Sequence, residues 1–446
     1  MVATTRPSNK KRVAVIGSGI AGLSAAWLLG KSASVTLYEA EMRPGGHANT
    51  VDVETADGPV AIDTGFIVYN ERNYPNLVAL FKQLGVPTQL SDMSFAASLD
   101  QGRFEYSGSG LKGLLGQKTN LMRPRFWRMV NDIRRFYREA SGLLAKPGLA
   151  SVTLGEYLDG ADYSAAFIED HLLPMGAAIW STTAREMRAY PLFAFIRFFE
   201  RHGLLLLKDR PRWRTVCGGS RTYVSRLLED FSGELRLHTP VLRVYRGDDG
   251  VTVLDGTGHS DTFDDVVIAV HADQALAMLD DPSPEESRLL GAFAYTPNTA
   301  VLHKARTLMP RRRSVWSSWN YVSDGNGGDD AQLCVTYWMN QLQNLGTREQ
   351  FFVTLNPIRP IPDGQVIRAF DYAHPLFDRR ALSAQSGLHA LQGKRNTWFC
   401  GAYFGSGFHE DGIKAGLAVA EELSGIERPW VVEAGAPPLT GLVAAE

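Results

Sequence analysis

Cysteine is scarce in this chain: three residues in 446, Cys217, Cys334 and Cys400, far apart and odd in number. That spacing excludes a disulfide framework and a cysteine metal cluster, and it fits a reducing cytoplasm. No apolar run reaches the ~18 residues a membrane-spanning helix needs, and no secretory apolar segment precedes the first strand-like run at Val13. The expectation is a cytoplasmic chain, neither exported by a visible signal nor threaded through a membrane. A net charge of −2 gives no global basic field, so nothing points to nucleic acid. Internal repeats and low-complexity blocks are also missing, which excludes a repeat array. What remains is ordinary globular composition, 44% hydrophobic and 21% charged, in a chain long enough for two interlocked domains.

Glycine, by contrast, is placed with purpose. "RVAVIG" (residues 12–17) is a continuous apolar run, as in a parallel strand buried on both faces, and "IAGLSAAWLL" (20–29) reads as a helix. Between them Gly17, Gly19 and Gly22 fill G-x-G-x-x-G. Gly17 allows the sharp turn, Gly19 lets backbone amides approach a pyrophosphate, and Gly22 lets the helix pack closely on the strand. The helix start at Ile20 and Ala21 then faces the phosphates with unpaired N–H groups. A second strand, "SVTLYE", ends in Glu39 beside Ala40, where a ribose hydroxyl needs an acceptor. "EAEMRPGGHANT" adds Arg43 as a cation and the pair Gly45-Gly46 as a second close backbone approach, which suits an extended FAD better than a nicotinamide cofactor. "AIDTGFIVYN" contributes Thr64, Gly65 and Phe66.

These residues resemble the N-terminal FAD signature of the flavin-containing amine oxidase and phytoene desaturase superfamily, position by position at Gly17, Gly19, Gly22, Glu39, Arg43, Gly45 and Gly46. That superfamily usually has Arg or Lys after the double glycine; this chain has His47, which leaves a structural role and flavin attachment both open. Near the other end, "TWFC" reads as a buried strand, "GAYFGSG" as a loop, and "DGIKAGLAVAEEL" as a helix with Asp411 near its N-cap. The resemblance implies that this helix start, with Gly412 and Ile413, meets the flavin ring. Many relatives carry Gly-Asp after the strand, whereas this chain has Gly401-Ala402. Val241 stands where relatives place a Val against the adenine. The implied fold class is α/β: a Rossmann-like FAD-binding domain of the two-dinucleotide-binding-domain flavoprotein type, with an inserted α+β substrate domain. The FAD domain is discontinuous, 10–74, 206–284 and 391–430; the substrate side is 75–205 and 285–390; 1–9 and 431–446 are tails.

On the substrate side, "RPRFWRMVNDIRRFYREA" puts Phe126, Met129, Val130, Ile133, Phe136 and Tyr137 on one helical face and Arg128, Arg135 and Arg138 on the other. "PLFAFIRFFERHGLLLLKDRPRWR" is more apolar still. Such helices either rest on an anionic membrane surface or bury their apolar face in the core. Together with "VLHKARTLMPRRRSVWSSWNY", "VTYWMNQLQ" and "CGAYFGSGFHEDG", the chain resembles a bacterial subfamily of flavin oxidoreductases associated with cyclopropane-fatty-acid-synthase-like methyltransferases. The resemblance implies a fatty acyl lipid substrate, methylated and then desaturated, and a methyltransferase partner. Removing two hydrogens needs hydride acceptance by the flavin and a base for the proton. His409 and Glu410, beside the final helix, are the polar candidates, with His303 next; the first two are equally suited to ordering the loop. An amine oxidase, using Lys304, and a non-catalytic lipid-binding partner of the methyltransferase are the alternatives. No metal site is expected.

Overall fold

The computed structural model describes residues 10–432 except 109, 150, 151, 181, 182, 207–209, 249 and 326–332. The tails expected at 1–9 and 431–446 thus lie outside the described residues, apart from 431 and 432.

The apolar run at Arg12–Ile16 is the central strand of a five-stranded parallel sheet. Across the sheet the order is Glu234–Arg236, Ser34–Tyr38, Arg12–Ile16, Asp265–Ile268, Thr397–Phe399. Val13, Ala14 and Val15 are fully buried because both faces of the sheet are covered, which is why no polar alternation interrupts them. The helix Ile20–Leu29 is buried along its whole length and apolar on every side. It lies between the sheet and the last helix, His409–Ser424. Small residues make this approach close: a Cβ on Gly416 would stand 2.1 Å from the Ala21 carbonyl oxygen. Sequence stretches nearly 400 positions apart are thereby joined; Ser24 Oγ even reaches the Ile413 carbonyl at 3.5 Å.

A second, seven-stranded sheet has the order Val366–Leu376, Ala294–His303, Phe352–Leu355, Leu333–Trp338, Trp319–Ser323, Phe95–Leu99, Phe104–Ser107. Its pairings are antiparallel except for that of Trp319–Ser323 with Phe95–Leu99. Helices Pro124–Leu143, Leu173–Trp180 and Leu192–Arg201 pack nearby. In the first, Phe126, Met129 and Phe136 are buried; in the last, Leu192, Phe195, Ile196 and Phe199 are fully so. The apolar stripes of both helices therefore face the core, the second of the two arrangements open from sequence. No described helix is long and apolar enough to cross a membrane.

Candidate functional site

The site starts where the central strand stops. Gly17 turns with φ +97°, and a Cβ there would meet the Ala269 carbonyl oxygen and Val270 Cγ1 at 2.9 Å. Gly17 N–H donates to the Tyr38 carbonyl at 2.8 Å, locking the turn to the neighbouring strand. The helix that follows has no side chain capping its first turn and no acidic residue there. Its N–H groups are left for a ligand, and the partial positive charge of the helix start favours an anion. At Gly19 a Cβ would meet nothing within 4 Å, so the backbone borders open space. At the end of the next strand, Glu39 accepts from Ser18 N–H at 2.9 Å and Glu41 N–H at 2.9 Å, and from Ser18 Oγ.

That open space is one end of a cavity of about 1580 Å³. A pocket for one small ligand usually measures ~300–1000 Å³, so this one has room for a cofactor and a substrate together. Of the residues singled out in the sequence, Gly17, Gly19, Ile20, Ala21, Glu39, Ala40 and Arg43 line the first end. Gly46, His47, Thr64, Gly65, Phe66 and Val241 continue it, and Gly401, Ala402, His409 and Gly412 close it from the far end of the chain. Gly22, Gly45, Asp411 and Ile413 support the wall from behind. Gly22 seats the helix, and Gly45 N–H donates to the Ser18 carbonyl at 3.0 Å. Arg43 Nη1 donates to the Gly46 carbonyl at 2.9 Å, tying the second glycine loop. Asp411 lies in the first turn of a helix that begins two residues before the expected "DGIKAG" start. Its carboxylate accepts from Ser406 and Phe408 N–H, both at 3.0 Å.

Behind the loop sits a buried carboxylate, Asp63. Asp63 accepts from Thr50 Oγ1, from Ser220 N–H and Oγ, and from Gln343 Nε2. Burial pushes its pKa up to about 6. It holds the Gly218-Gly219 turn against the strand Thr50–Val53.

Besides His47 and His409, the cavity holds three histidines that sequence reading missed: His202, His271 and His374. Five of the chain's ten histidines line the cavity: His47, His202, His271, His374 and His409. His47 stacks on Tyr372 with ring centres 4.8 Å apart, and lies 5.5 Å from His374 and 6.5 Å from His271. Burial, then mutual repulsion, holds the His47 pKa well below its ordinary value; burial also lowers His271, and takes His374 down to about 4. All are neutral at pH 7, so each keeps a lone pair. His271 was findable: it stands three residues past the end of the parallel strand Asp265–Ile268, at the carboxyl edge where such sheets bind ligands. His374 and Tyr372 share a face of the long edge strand Val366–Leu376 and carried no local motif.

The proton-transfer candidates separate. His409 faces the cavity, its ring flat on Phe66 at 3.8 Å and its Nε2 2.7 Å from Tyr223 Oη; burial lowers its pKa to about 3. Glu410 turns away from the main cavity and caps another helix, Pro75–Gln83, accepting from Asn76 and Leu77 N–H at 2.9 and 3.1 Å. Burial raises its pKa to about 7. His303 must be corrected. It bonds Thr354 at 2.7 Å on one face of the seven-stranded sheet, while Tyr337 and Leu355, which line the cavity, pack with Leu302 on the other. Strand alternation puts His303 out of reach of the site. Lys304, the amine-oxidase candidate, pairs with Glu349 instead, and among the described residues no lysine lines the cavity. Of the "RRR" run, Arg312 pairs with buried Glu105 at 2.8 Å and Arg313 lies over the rings of Trp316 and Trp338.

The residues present fit FAD: uncapped helix amides and an open Gly19 for a pyrophosphate, a strand-end carboxylate for a ribose. Glu39→Gln, which keeps shape but removes charge, is expected to weaken FAD binding by about 10–100-fold, the ~1.5–3 kcal/mol of a hydrogen bond to a charged group. Fluorescence titration of apoprotein with FAD measures it; unchanged affinity would remove Glu39 from the cradle.

A family model described as flavin containing amine oxidoreductase matches residues 20–424. The L-amino-acid oxidase of Pseudechis australis is 59% identical over 46 residues, 10% of this chain and 9% of that protein. That of Notechis scutatus scutatus is 55% identical over 49 residues, 11% and 10% of the two chains. The chain thus matches only about a tenth of the length of these curated relatives. Among solved structures, a putrescine oxidase bound to putrescine has a TM-score of 0.67 at 16% identity, over 93% of this chain and 99% of that one. A CLA-producing fatty acid isomerase from P. acnes has a TM-score of 0.66 at 15% identity, over 94% and 100%. At such identities the likeness is one of fold. The family match, however, runs from the first glycine helix to the last, so the chain belongs to the flavin containing amine oxidoreductase family, whose cofactor is FAD.

Proposed function

We propose that this oxidoreductase dehydrogenates a methylated, unsaturated fatty acyl chain of a phospholipid. The observation that carries the reading is the far half of the cavity. Met93, Phe95, Met175, Ile179, Trp180, Phe198, Leu204, Trp319 and Phe370 line it. Among the described lining residues there, the charged side chains besides the neutral histidines are Arg368 and Asp371, both exposed to solvent rather than buried in the corridor. An ammonium substrate would ask for a free carboxylate, and burying it without one costs several kcal/mol. An acyl chain asks only for apolar surface, at ~25 cal/mol per Å² buried. The same fold serves a protein named as a fatty acid isomerase, so the architecture admits such a chain.

FAD, held by the helix amides at Ile20 and Ala21 and by Glu39, would supply two-electron oxidation when bound. The chain's own residues do the rest. The aromatic corridor holds the alkyl segment and excludes water, and positioning of this kind supplies much of a rate enhancement. The neutral histidines His47, His271, His374 and His409 offer lone pairs within the cavity; burial makes each a weak base, suited to taking a proton only from substrate that hydride loss has made strongly acidic. A C–H beside a double bond is the one such a site can open, which is why an unsaturated chain is specified. A methylated substrate implies a methyltransferase acting beforehand, and that enzyme is the proposed partner.

The test is anaerobic. Phospholipid bearing a methylated unsaturated chain is expected to bleach the flavin, with mass spectrometry showing a product lighter by two hydrogens. Peroxide release from a polyamine or aromatic amine, with no response to lipid, would establish the amine reading instead. Flavin inert to both, in protein that co-purifies with the methyltransferase, would establish a non-catalytic partner.

A further inference from the structure

One corner of the molecule, outside the lining of the cavity, carries large apolar side chains that are partly exposed. Leu121 and Met122 precede the helix Pro124–Leu143, and Trp127 sits in its first turn. They are 47%, 87% and 45% exposed. Single exposed apolar residues are ordinary; three within seven positions form a patch. They share one place, because Trp127 Nε1 donates to the Leu121 carbonyl at 2.9 Å. The inward side of the same turn is already filled by Phe126 and Met129, at 1% and 0% exposure. The outward three thus leave apolar surface to solvent, although the Trp127 ring also rests edge-on against Phe126 at 5.4 Å.

Charge selects the occupant. No acidic residue occurs between Glu105 and Asp132 in the sequence. Lys118, Arg123 and Arg128 border the patch without an ion pair among the described residues, while Arg125 is spoken for by Asp170 and Glu169. Arg123 instead donates to the Arg103 carbonyl and lies over the Phe104 ring, leaving its charge uncompensated. Exposed Trp, Met and Leu ringed by basic residues suit the boundary between anionic headgroups and acyl chains. The patch also has a route inward: Phe126 packs in a cluster with Phe95, which lines the cavity.

We propose that Leu121, Met122 and Trp127, with Lys118, Arg123 and Arg128, dock this enzyme on the surface of an anionic bilayer. The inference deepens the acyl-lipid reading and rests on it only for the purpose of docking. Vesicle binding is read without turnover, so the two can fail separately.

The experiment uses the flavin-loaded full chain and co-sedimentation with vesicles of phosphatidylcholine alone or mixed with phosphatidylglycerol. The protein is expected to sediment with the mixed vesicles and to be released by salt. L121S/M122S/W127S is expected to lower partitioning by about tenfold or more, from lost apolar burial. K118Q/R128Q is expected to lower it by roughly thirtyfold on anionic vesicles, at ~1 kcal/mol per charge. Both variants should keep the wild-type flavin spectrum, since every altered side chain is exposed. Wild-type protein that stays in the supernatant, or a triple variant that binds equally well, would overturn the proposal. A dimer on size-exclusion chromatography that the triple variant abolishes, without vesicle binding, would assign the patch to a second copy and also overturn it.

Discussion

Gly22→Val is expected to purify colourless. A Cβ at this position would stand 1.8 Å from the Gly17 carbonyl oxygen and 3.1 Å from Ala269 Cβ. The first obstacle is backbone, and it belongs to the turn that shapes the cradle. The helix Ile20–Leu29 cannot move away, because Gly416 packs on its other side with similar closeness. Relief must come from opening the Gly17 turn, which breaks the Gly17 N–H bond to Tyr38 and displaces the helix amides from the cavity. Overpacking in a core costs about 1–3 kcal/mol, and rigid backbone on both sides puts this case at ~3 kcal/mol or more. The readouts are the flavin-to-protein absorbance ratio and Tm, with Gly160→Val as control; there a Cβ would meet nothing within 4 Å. A yellow Gly22→Val protein with unchanged Tm would show that helix and turn are not packed as described.

Arg246→Met is the largest expected loss of stability that leaves the cavity wall chemically intact. Arg246 and Glu286 form a buried pair at 2.5 Å, with side chains 1% and 5% exposed. Arg246 also donates to the Asp281 carbonyl at 2.7 Å, so one side chain ties the strand Val241–Gly247 to the helix Pro284–Leu290. Removing the cation leaves the buried Glu286 carboxylate without its charged partner but still bonded to the Ser283 N–H at 2.7 Å, which puts the cost toward the lower end of the about 3–5 kcal/mol of a broken buried pair. Arg246→Met combined with Glu286→Leu is expected to recover most of that, because two apolar groups can replace a buried pair without leaving a charge behind. Chemical denaturation of wild type, Arg246→Met, Glu286→Leu and the double variant measures the cycle. A single variant as stable as wild type, or a double variant as unstable as the single, would contradict the assignment. Val241, at the head of the same strand, lines the cavity, so FAD affinity is expected to fall with the single variant and return with the double.

The first cofactor half was legible because its chemistry is local. Gly17, Gly19 and Gly22 act within one turn, and Glu39 acts at the end of the next strand; short-range spacing is what a sequence displays directly. The helix Leu192–Arg201 was less legible. An aromatic stripe at helical spacing is the same pattern whether it meets a core or a membrane, and only packing decided for the core. His303 shows the opposite failure: its neighbour Leu302 packs with the cavity-lining Tyr337 and Leu355, yet alternation sends His303 to the other side of the sheet.

The sequence by itself determined the parallel-strand run at residues 12–17, the glycine turn, the strand-end carboxylate and the helix start near Asp411, since each depends on contacts a few residues apart. Only the tertiary structure decided that His47, His271 and His374 meet in one cavity. They come from a loop, the edge of one sheet and the edge strand of another, and no local spacing links them. Their shared neutrality follows from the same cause: burial and mutual repulsion exist only once the three chain segments have been brought together.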